Sequence, residues 1–169
     1  MLPQLVEKPV VTVNGSWTIS FQPGRGAPAS ITQNGLAAWN DNANPGVKYF
    51  SGIGTYTKTF TMPKVAKGAR YVVDLGDVRE LADVELNGKP LGIAWATPYK
   101  LDIGKVLKPG KNVLKVKVVN LWVNRLIGDA QPDVKQKYTF TIIPTYRPDA
   151  PLKPSGLLGP VEIRRVSAN

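Results

Sequence analysis

The stretch from Ala82 to Asp129 constrains the fold of this chain most. Asp83 to Leu86 reads as a strand with Val84 and Leu86 on one face, Asn87-Gly88 follows, and Leu91 to Trp95 returns as its partner. Asn and Gly both tolerate positive φ, which a two-residue hairpin turn demands. A loop through Pro98 and Tyr99 leads to a second turn at Lys108-Pro109-Gly110-Lys111. Val113 to Asn120 then alternates, with Leu114, Val116 and Val118 facing one way and Lys115 and Lys117 the other. A period of two marks a half-buried antiparallel strand.

The flanking sequence extends the pattern. Val10 to Val13 and Trp17 to Phe21 are short strands, and Asn14-Gly15 between them predicts a hairpin. Pro23 to Asp41 reads as a long connection with room for one strand, followed by a turn cluster from Asp41 to Gly46. Tyr49 to Met62 holds a clear alternation, with Tyr56, Lys58, Phe60 and Met62 set against four threonines. Threonine favours the pleated chain because its β-branching suits an extended backbone. Arg70 to Leu75 is the next strand, closed by Gly76. Val134 to Ile142, with Tyr138, Phe140 and Ile142 alternating, predicts another.

Pro144, Pro148, Pro151 and Pro154 then predict a meander across the outside, because proline lacks the N–H that a central strand needs. Val161 to Val166 ends the series. Leu121 to Gly128 has room for one helical turn at most. About nine short strands without sustained helical periodicity predict an all-β sandwich.

A chain of 169 residues suits a single domain spanning residues 1–169. Its hydrophobic fraction of 43% is ordinary for a folded protein. No apolar run approaches the ~20 residues of a membrane-spanning helix, so no membrane partner is expected. The first residues, Met1 to Pro9, lack the basic and apolar regions of a signal peptide. They imply a cytoplasmic protein or one cut from a leader or larger parent.

Cysteine and histidine are absent. That removes disulfides, thiolate chemistry, the commonest general base and the commonest metal ligand. Lys and Arg number 22 against 12 Asp and Glu, a net charge of +10. Such a balance attracts polyanions, among them nucleic acid, anionic lipid and acidic polysaccharide. No basic helix or interleaved aromatic-basic motif is present, so nucleic acid is not an expected partner. A merely solvated basic surface is the plainer reading.

Glycosidase chemistry needs two carboxyls flanking the scissile bond. The acids here, Asp74, Asp77, Glu80, Asp83 and Glu85, are scattered along strands and hairpins, so no catalysis is expected. Asn124, Arg125 and Asp129 invite a buried network that pins a loop, because Arg pairs with carboxylate through a planar fork. Sugar contact and docking to a separate catalytic domain are the alternative roles for these three.

Four tryptophans supply broad rigid faces of the kind that stack on a pyranose. Trp17, in line with Ile19 and Phe21, reads as core. Trp39 lies in a polar, Asn-rich loop and reads as exposed. Trp95 and Trp122 read first as packed and second as ligand contacts. Tyr49 and Tyr99 are further aromatic candidates.

The run V-x-L-N-G-K-x-L-G-x-x-W-x-x-P-Y from Val84 to Tyr99, then L-K-P-G-x-N-x-L-x-V-x-V-x-N from Leu107 to Asn120, resembles the sugar-binding jelly-roll domain of family 2 type glycoside hydrolases. The motif Asn124-Arg125-Leu126-Ile127-Gly128-Asp129, with Ser155-Gly-Leu-Leu-Gly-Pro-Val161 after it, resembles the C-terminal domain of family 106 α-L-rhamnosidases. The resemblance implies a galactose-binding-type jelly roll whose parent carries its catalytic carboxylates in a separate barrel. It implies a carbohydrate-binding module that takes plant cell-wall polysaccharide or oligosaccharide through Trp39, Tyr49, Trp95, Tyr99, Trp122, Asn124, Arg125 and Asp129. The alternative is a domain that only buttresses a glycosidase catalytic domain. It implies further an extracellular or periplasmic location and no organic cofactor, with a structural Ca²⁺ held by loop oxygens left open.

Overall fold

The computed structural model describes residues 5–168. Met1 to Gln4, the start of the stretch read for a leader, lie outside them. Twelve strands are present among the described residues. They are β1 (Leu5–Thr12), β2 (Ser16–Phe21), β3 (Ser30–Asn34), β4 (Ile53–Met62), β5 (Arg70–Asp74) and β6 (Asp77–Arg79), followed by β7 (Leu81–Leu86), β8 (Lys89–Ala94), β9 (Lys100–Asp102), β10 (Gly110–Val119), β11 (Gly156–Gly159) and β12 (Glu162–Ala168). The helical pieces are short: a 3-10 turn at Trp39–Asp41, α1 at Pro45–Lys48 and α2 at Val123–Asp129.

Two antiparallel sheets form the sandwich, one ordered β1-β12-β5-β9 and the other β3-β2-β4-β10-β7-β8. A small ladder joins β11 to β6. The chain passes repeatedly from one sheet to the other, as a jelly roll does. One hydrophobic cluster fills the space between, drawing Tyr71, Val73 and Ile163 from the first sheet and Tyr56, Val84, Leu86, Leu114 and Val116 from the second. The chain forms the all-β sandwich expected from the strand pattern, with the jelly-roll topology that the family resemblance implies.

At its centre β10 pairs with β4 from Gly110↔Met62 to Val119↔Ile53, and with β7 from Leu114↔Leu86 to Val119↔Leu81. The hairpin turn takes positive φ at both Asn87 (53°) and Gly88 (76°), as the strand twist requires. The two asparagines of the motif couple the two turns. Asn87 donates from Nδ2 to Asn112 Oδ1 (2.8 Å), and its own Oδ1 accepts from the Val113 N–H (2.9 Å). Asn112, fully buried, also bonds both backbone groups of Lys108. Buried backbone groups that no ladder reaches are thereby satisfied.

Four expectations need correction. Asn14-Gly15 does not close a hairpin: β1 pairs with β12 and β2 with β3 and β4, so the turn carries the chain across to the other sheet. Strand β11, hidden between glycines and prolines, was not expected from the sequence. Helix α2 runs for seven residues rather than one turn. Most important, the segment from Val134 to Ile142 makes no strand, and residues 131–155 are irregular throughout. This strap lies outside the sandwich, in keeping with the meander that its prolines imply.

Candidate functional site

Helix α2 is too short to be stable by itself, since isolated helices need ~12–15 residues even to be marginal. Its side chains hold it and the strap together. Arg125 Nε lies 2.9 Å from Asp129 Oδ1, with both side chains only 5% exposed. The other carboxylate oxygen of Asp129 accepts from the N–H groups of Tyr138 (2.8 Å) and Thr139 (2.7 Å) and from the Thr139 hydroxyl (2.7 Å). Asn124 grips the far end of the strap, accepting from the Lys153 N–H (2.8 Å) and donating to the Lys153 carbonyl (2.7 Å). The sequence Asn124-to-Asp129 therefore clamps an irregular segment at two places, which is the pinning network expected of it. It also explains the missing strand, because the N–H groups of Tyr138 and Thr139 go to a carboxylate rather than to a neighbouring strand.

The clamp leaves three large apolar side chains in solvent. Phe140 is 89% exposed, Ile142 90% and Ile143 75%. Beside this ridge lies a cleft of about 610 Å³ whose apolar lining includes Leu126, Ala130, Pro144 and Tyr146. A second cleft, about 570 Å³, is lined by Tyr49, Tyr138, Arg125, Gln131, Asp133 and Gln136 among others.

The aromatic candidates separate. Trp39, expected to be exposed, is fully buried. Its ring lies parallel to Tyr56 at 6.0 Å and packs edge-on against Phe21 and Phe50. The polar loop that carries it folds inward at the 3-10 turn, where the Trp39 N–H donates to the Ser155 carbonyl (2.9 Å). Trp39 therefore cannot stack on a ligand. Trp17 is core, as read. Trp95, read first as packed, is 76% exposed beyond the end of β8. Trp122 is 47% exposed and carries the Arg25 guanidinium 4.7 Å from its ring centre, so it does not pack beneath the loop. Tyr99 is half-buried and donates to the Glu80 carbonyl (3.3 Å). Of the eight candidate residues, the second cleft brings together Tyr49 and Arg125, with Asp129 behind them; Trp95, Tyr99 and Trp122 do not line it.

Charge is largely balanced where the sequence offered a basic face. Lys115 and Lys117 stand opposite Glu85 and Asp83 in the β10–β7 register, at 3.5 and 3.3 Å. Other carboxylates are also paired with cations, as Asp77 with Arg79, Asp102 with Arg70 and Glu7 with Lys100 and Arg164. Among the described residues no three His, Cys, Asp or Glu side chains gather as metal ligands would, and no helix is long and apolar enough to cross a membrane.

Sequence reasoning missed Tyr138, Thr139 and the ridge. The available signal was the crowding of prolines immediately after Ile143, which argues that the preceding alternation has no sheet to join.

Residues 47–143 match the family model described as glycosyl hydrolase 2 galactose-binding domain-like. The chain superposes on a rhamnosidase from Novosphingobium sp. PP1Y with a TM-score of 0.93 and 49% identity, covering 98% of this chain and 16% of that one. A β-glucuronidase from an uncultured Clostridium sp. shares the fold at TM-score 0.63 and 21% identity, covering 98% of this chain and 30% of that one. A curated protein of Formosa agariphila, provisionally named a beta-glucuronidase, is 36% identical over 94% of this chain. The chain spans 16% of that relative's length.

Proposed function

This chain belongs to the glycosyl hydrolase 2 galactose-binding domain-like family, and from that premise we propose that it is a non-catalytic accessory domain that buttresses the catalytic part of a larger glycoside hydrolase. The observation that carries this reading is the ridge of Phe140, Ile142 and Ile143, at least three-quarters exposed and presented by a clamped strap. Burying one such side chain is worth roughly 1.5–3 kcal/mol, so an unpartnered row of three favours a docking surface over a solvated loop. The clamp fixes the strap beforehand, which lowers the entropy cost of docking.

The relation to a rhamnosidase at 49% identity supports a parent that acts on rhamnosides; plant cell-wall polysaccharide as its substrate, and a place outside the cell or in the periplasm, are further parts of the proposal. In that parent this chain acts as one domain. Direct binding of such polysaccharide through the loop tryptophans has weaker support, because Trp39 is buried and Trp95 and Trp122 line no cleft with Tyr49.

The test is the paired substitution Phe140→Asp and Ile142→Asp, made both in this chain and in the full-length parent. The expected result is an unchanged melting temperature for the chain and a lowered one for the parent, with faster thermal loss of glycosidase activity. An unchanged parent would contradict the reading.

A further inference from the structure

The end of the sandwich away from the strap carries charge that no ion pair offsets. Three turns meet there: residues 63–69 between β4 and β5, residues 87–90 between β7 and β8, and residues 103–111 between β9 and β10. Met62 pairs with Gly110 at this end. The Ala66 N–H donates to the Tyr71 hydroxyl (3.1 Å), the Ile103 N–H to the Tyr71 carbonyl (2.9 Å) and Asn87 Nδ2 to the Val106 carbonyl (2.9 Å), so the turns share a fixed frame. They carry Lys64, Lys67, Lys89, Lys105, Lys108 and Lys111, all exposed, and no Asp or Glu. Every ion pair among the described residues belongs to other cations. Asp102, the acid that adjoins the last turn in sequence, is held by Arg70 at 2.9 Å. The six lysines thus concentrate at one end most of a net charge of +10. Strand β10 runs from Gly110 at this end to Val119, a span of about 30 Å, before α2 and the strap begin.

We propose that this lysine end is an adsorption surface for an anionic lipid bilayer. The residue types choose among polyanions. Protein interfaces favour arginine and aromatic side chains and are poor in lysine. Nucleic-acid sites present a helix to a groove or aromatic rings to the bases, and these three turns contain neither. Lysine ammoniums are hydrated point charges on flexible stems. Spread over three turns rather than along one groove, they suit a plane of phosphate charge, as clusters of about 4–8 basic residues do at anionic leaflets. The exposed apolar side chains here are prolines, with Val65 and Val106 half-buried, so the contact is electrostatic and reversible. The lack of a membrane-spanning run, which underlay the expectation of no membrane partner, does not bear on adsorption to a surface. The strap lies several Debye lengths away at physiological salt, where that length is ~8 Å. The proposal therefore goes beyond the buttressing role and does not rest on it.

The experiment is co-sedimentation of this chain with vesicles of phosphatidylcholine, alone or in equal parts with phosphatidylglycerol. Retention by the mixed vesicles only is expected, and its loss between about 0.05 and 0.5 M salt as the Debye length shrinks. The triple variant Lys105→Gln, Lys108→Gln and Lys111→Gln is expected to weaken retention about thirtyfold or more at an unchanged melting temperature, since each lysine near an anionic leaflet contributes roughly fivefold. Lys64→Gln with Lys67→Gln, on a separate turn, is expected to weaken it about tenfold or more, which keeps the test open if the triple variant does not fold. Lys135→Gln, Lys137→Gln and Lys153→Gln remove the same charge from the strap side and should leave retention within about threefold of wild type. Equal loss in the two triple variants would overturn the proposal, because net charge rather than its place would then govern. Equal retention by neutral vesicles, or retention that survives high salt, would overturn it as well. Release from the vesicles by polygalacturonate or by a DNA duplex at matched charge would assign the surface to that polymer and overturn the bilayer as its occupant. Phe140→Asp should leave retention unaltered, so a failure of docking and a failure of adsorption remain distinguishable.

Discussion

Two segments of this chain carry nearly the same sequence pattern and meet opposite fates. Tyr56 to Met62 reads Y-T-K-T-F-T-M, and Tyr138 to Ile143 reads Y-T-F-T-I-I. The first is the C-terminal part of β4, paired throughout with β10 and at its start with β2, with Tyr56 and Met62 fully buried. The second lies in the strap, with Phe140 and Ile142 about nine-tenths exposed. Alternation fixes which side chains share a face, but burial needs a second surface. β4 is hydrogen-bonded along its whole length to β10, and at Tyr56 and Thr57 to β2 as well. In the strap the N–H groups of Tyr138 and Thr139 are held by the Asp129 carboxylate, and the apolar face has no cover within the described residues.

The sharpest way to break this contrast is to remove the partner of each segment. Trp39 covers the Tyr56 end of β4, so Trp39→Ala is expected to cost about 3–5 kcal/mol in denaturant unfolding. Arg125→Ala leaves Asp129 as an uncompensated buried charge and is also expected to cost about 3–5 kcal/mol. The two should differ in what they release. Amide exchange of Tyr138 and Thr139 should rise toward the unprotected rate in Arg125→Ala, while β4 amides stay slow. Equal loosening of both segments would mean that the clamp and the sandwich are one cooperative unit.

A smaller effect sharpens the β4 side. Burial pushes the Tyr56 phenol up, so its hydroxyl stays protonated while accepting the Leu157 N–H at 3.0 Å. Tyr56→Phe strands that buried donor and is expected to cost about 1–3 kcal/mol. Smaller still is the tie between the first sheet's outer strands. Glu7, bonded to Lys100 at 2.7 Å, raises the ammonium pKa, and Asp74 adds to this. A group whose folded pKa is raised stabilises the fold below its unfolded pKa of about 10.4 and loses that contribution as pH rises through the folded value. Lys100→Met should therefore cost at most ~1 kcal/mol at pH 7, and the difference from wild type should shrink at higher alkaline pH. A constant difference would exclude the ion pair as its source.

Much of the sandwich was legible in the chain because its determinants are local. Asn87-Gly88 needs positive φ, and the Leu114-Val116-Val118 row needs a partner face; both requirements are visible residue by residue. The burial of Trp39 was not, since a polar loop gives no sign that Phe21, Phe50 and Tyr56 converge on it from other segments. The clamp was legible in part. Arg125 and Asp129 stand four apart, which places them on one helix face. The acceptance of the Tyr138 and Thr139 N–H groups by Asp129 is a tertiary contact that spacing does not encode. Trp95 shows the reverse error, because a tryptophan at a strand end reads as packed only if the next loop folds over it.

The central claim is that the strap's apolar ridge faces another part of a larger glycosidase. Hydroxyl-radical footprinting of Phe140, Ile142 and Ile143, compared between this chain and its full-length parent, addresses it side chain by side chain. The expected result is strong oxidation of all three in the chain and protection in the parent, with exposed Trp95 as a labelling reference in the chain. Equal oxidation of the three residues in chain and parent would contradict the claim.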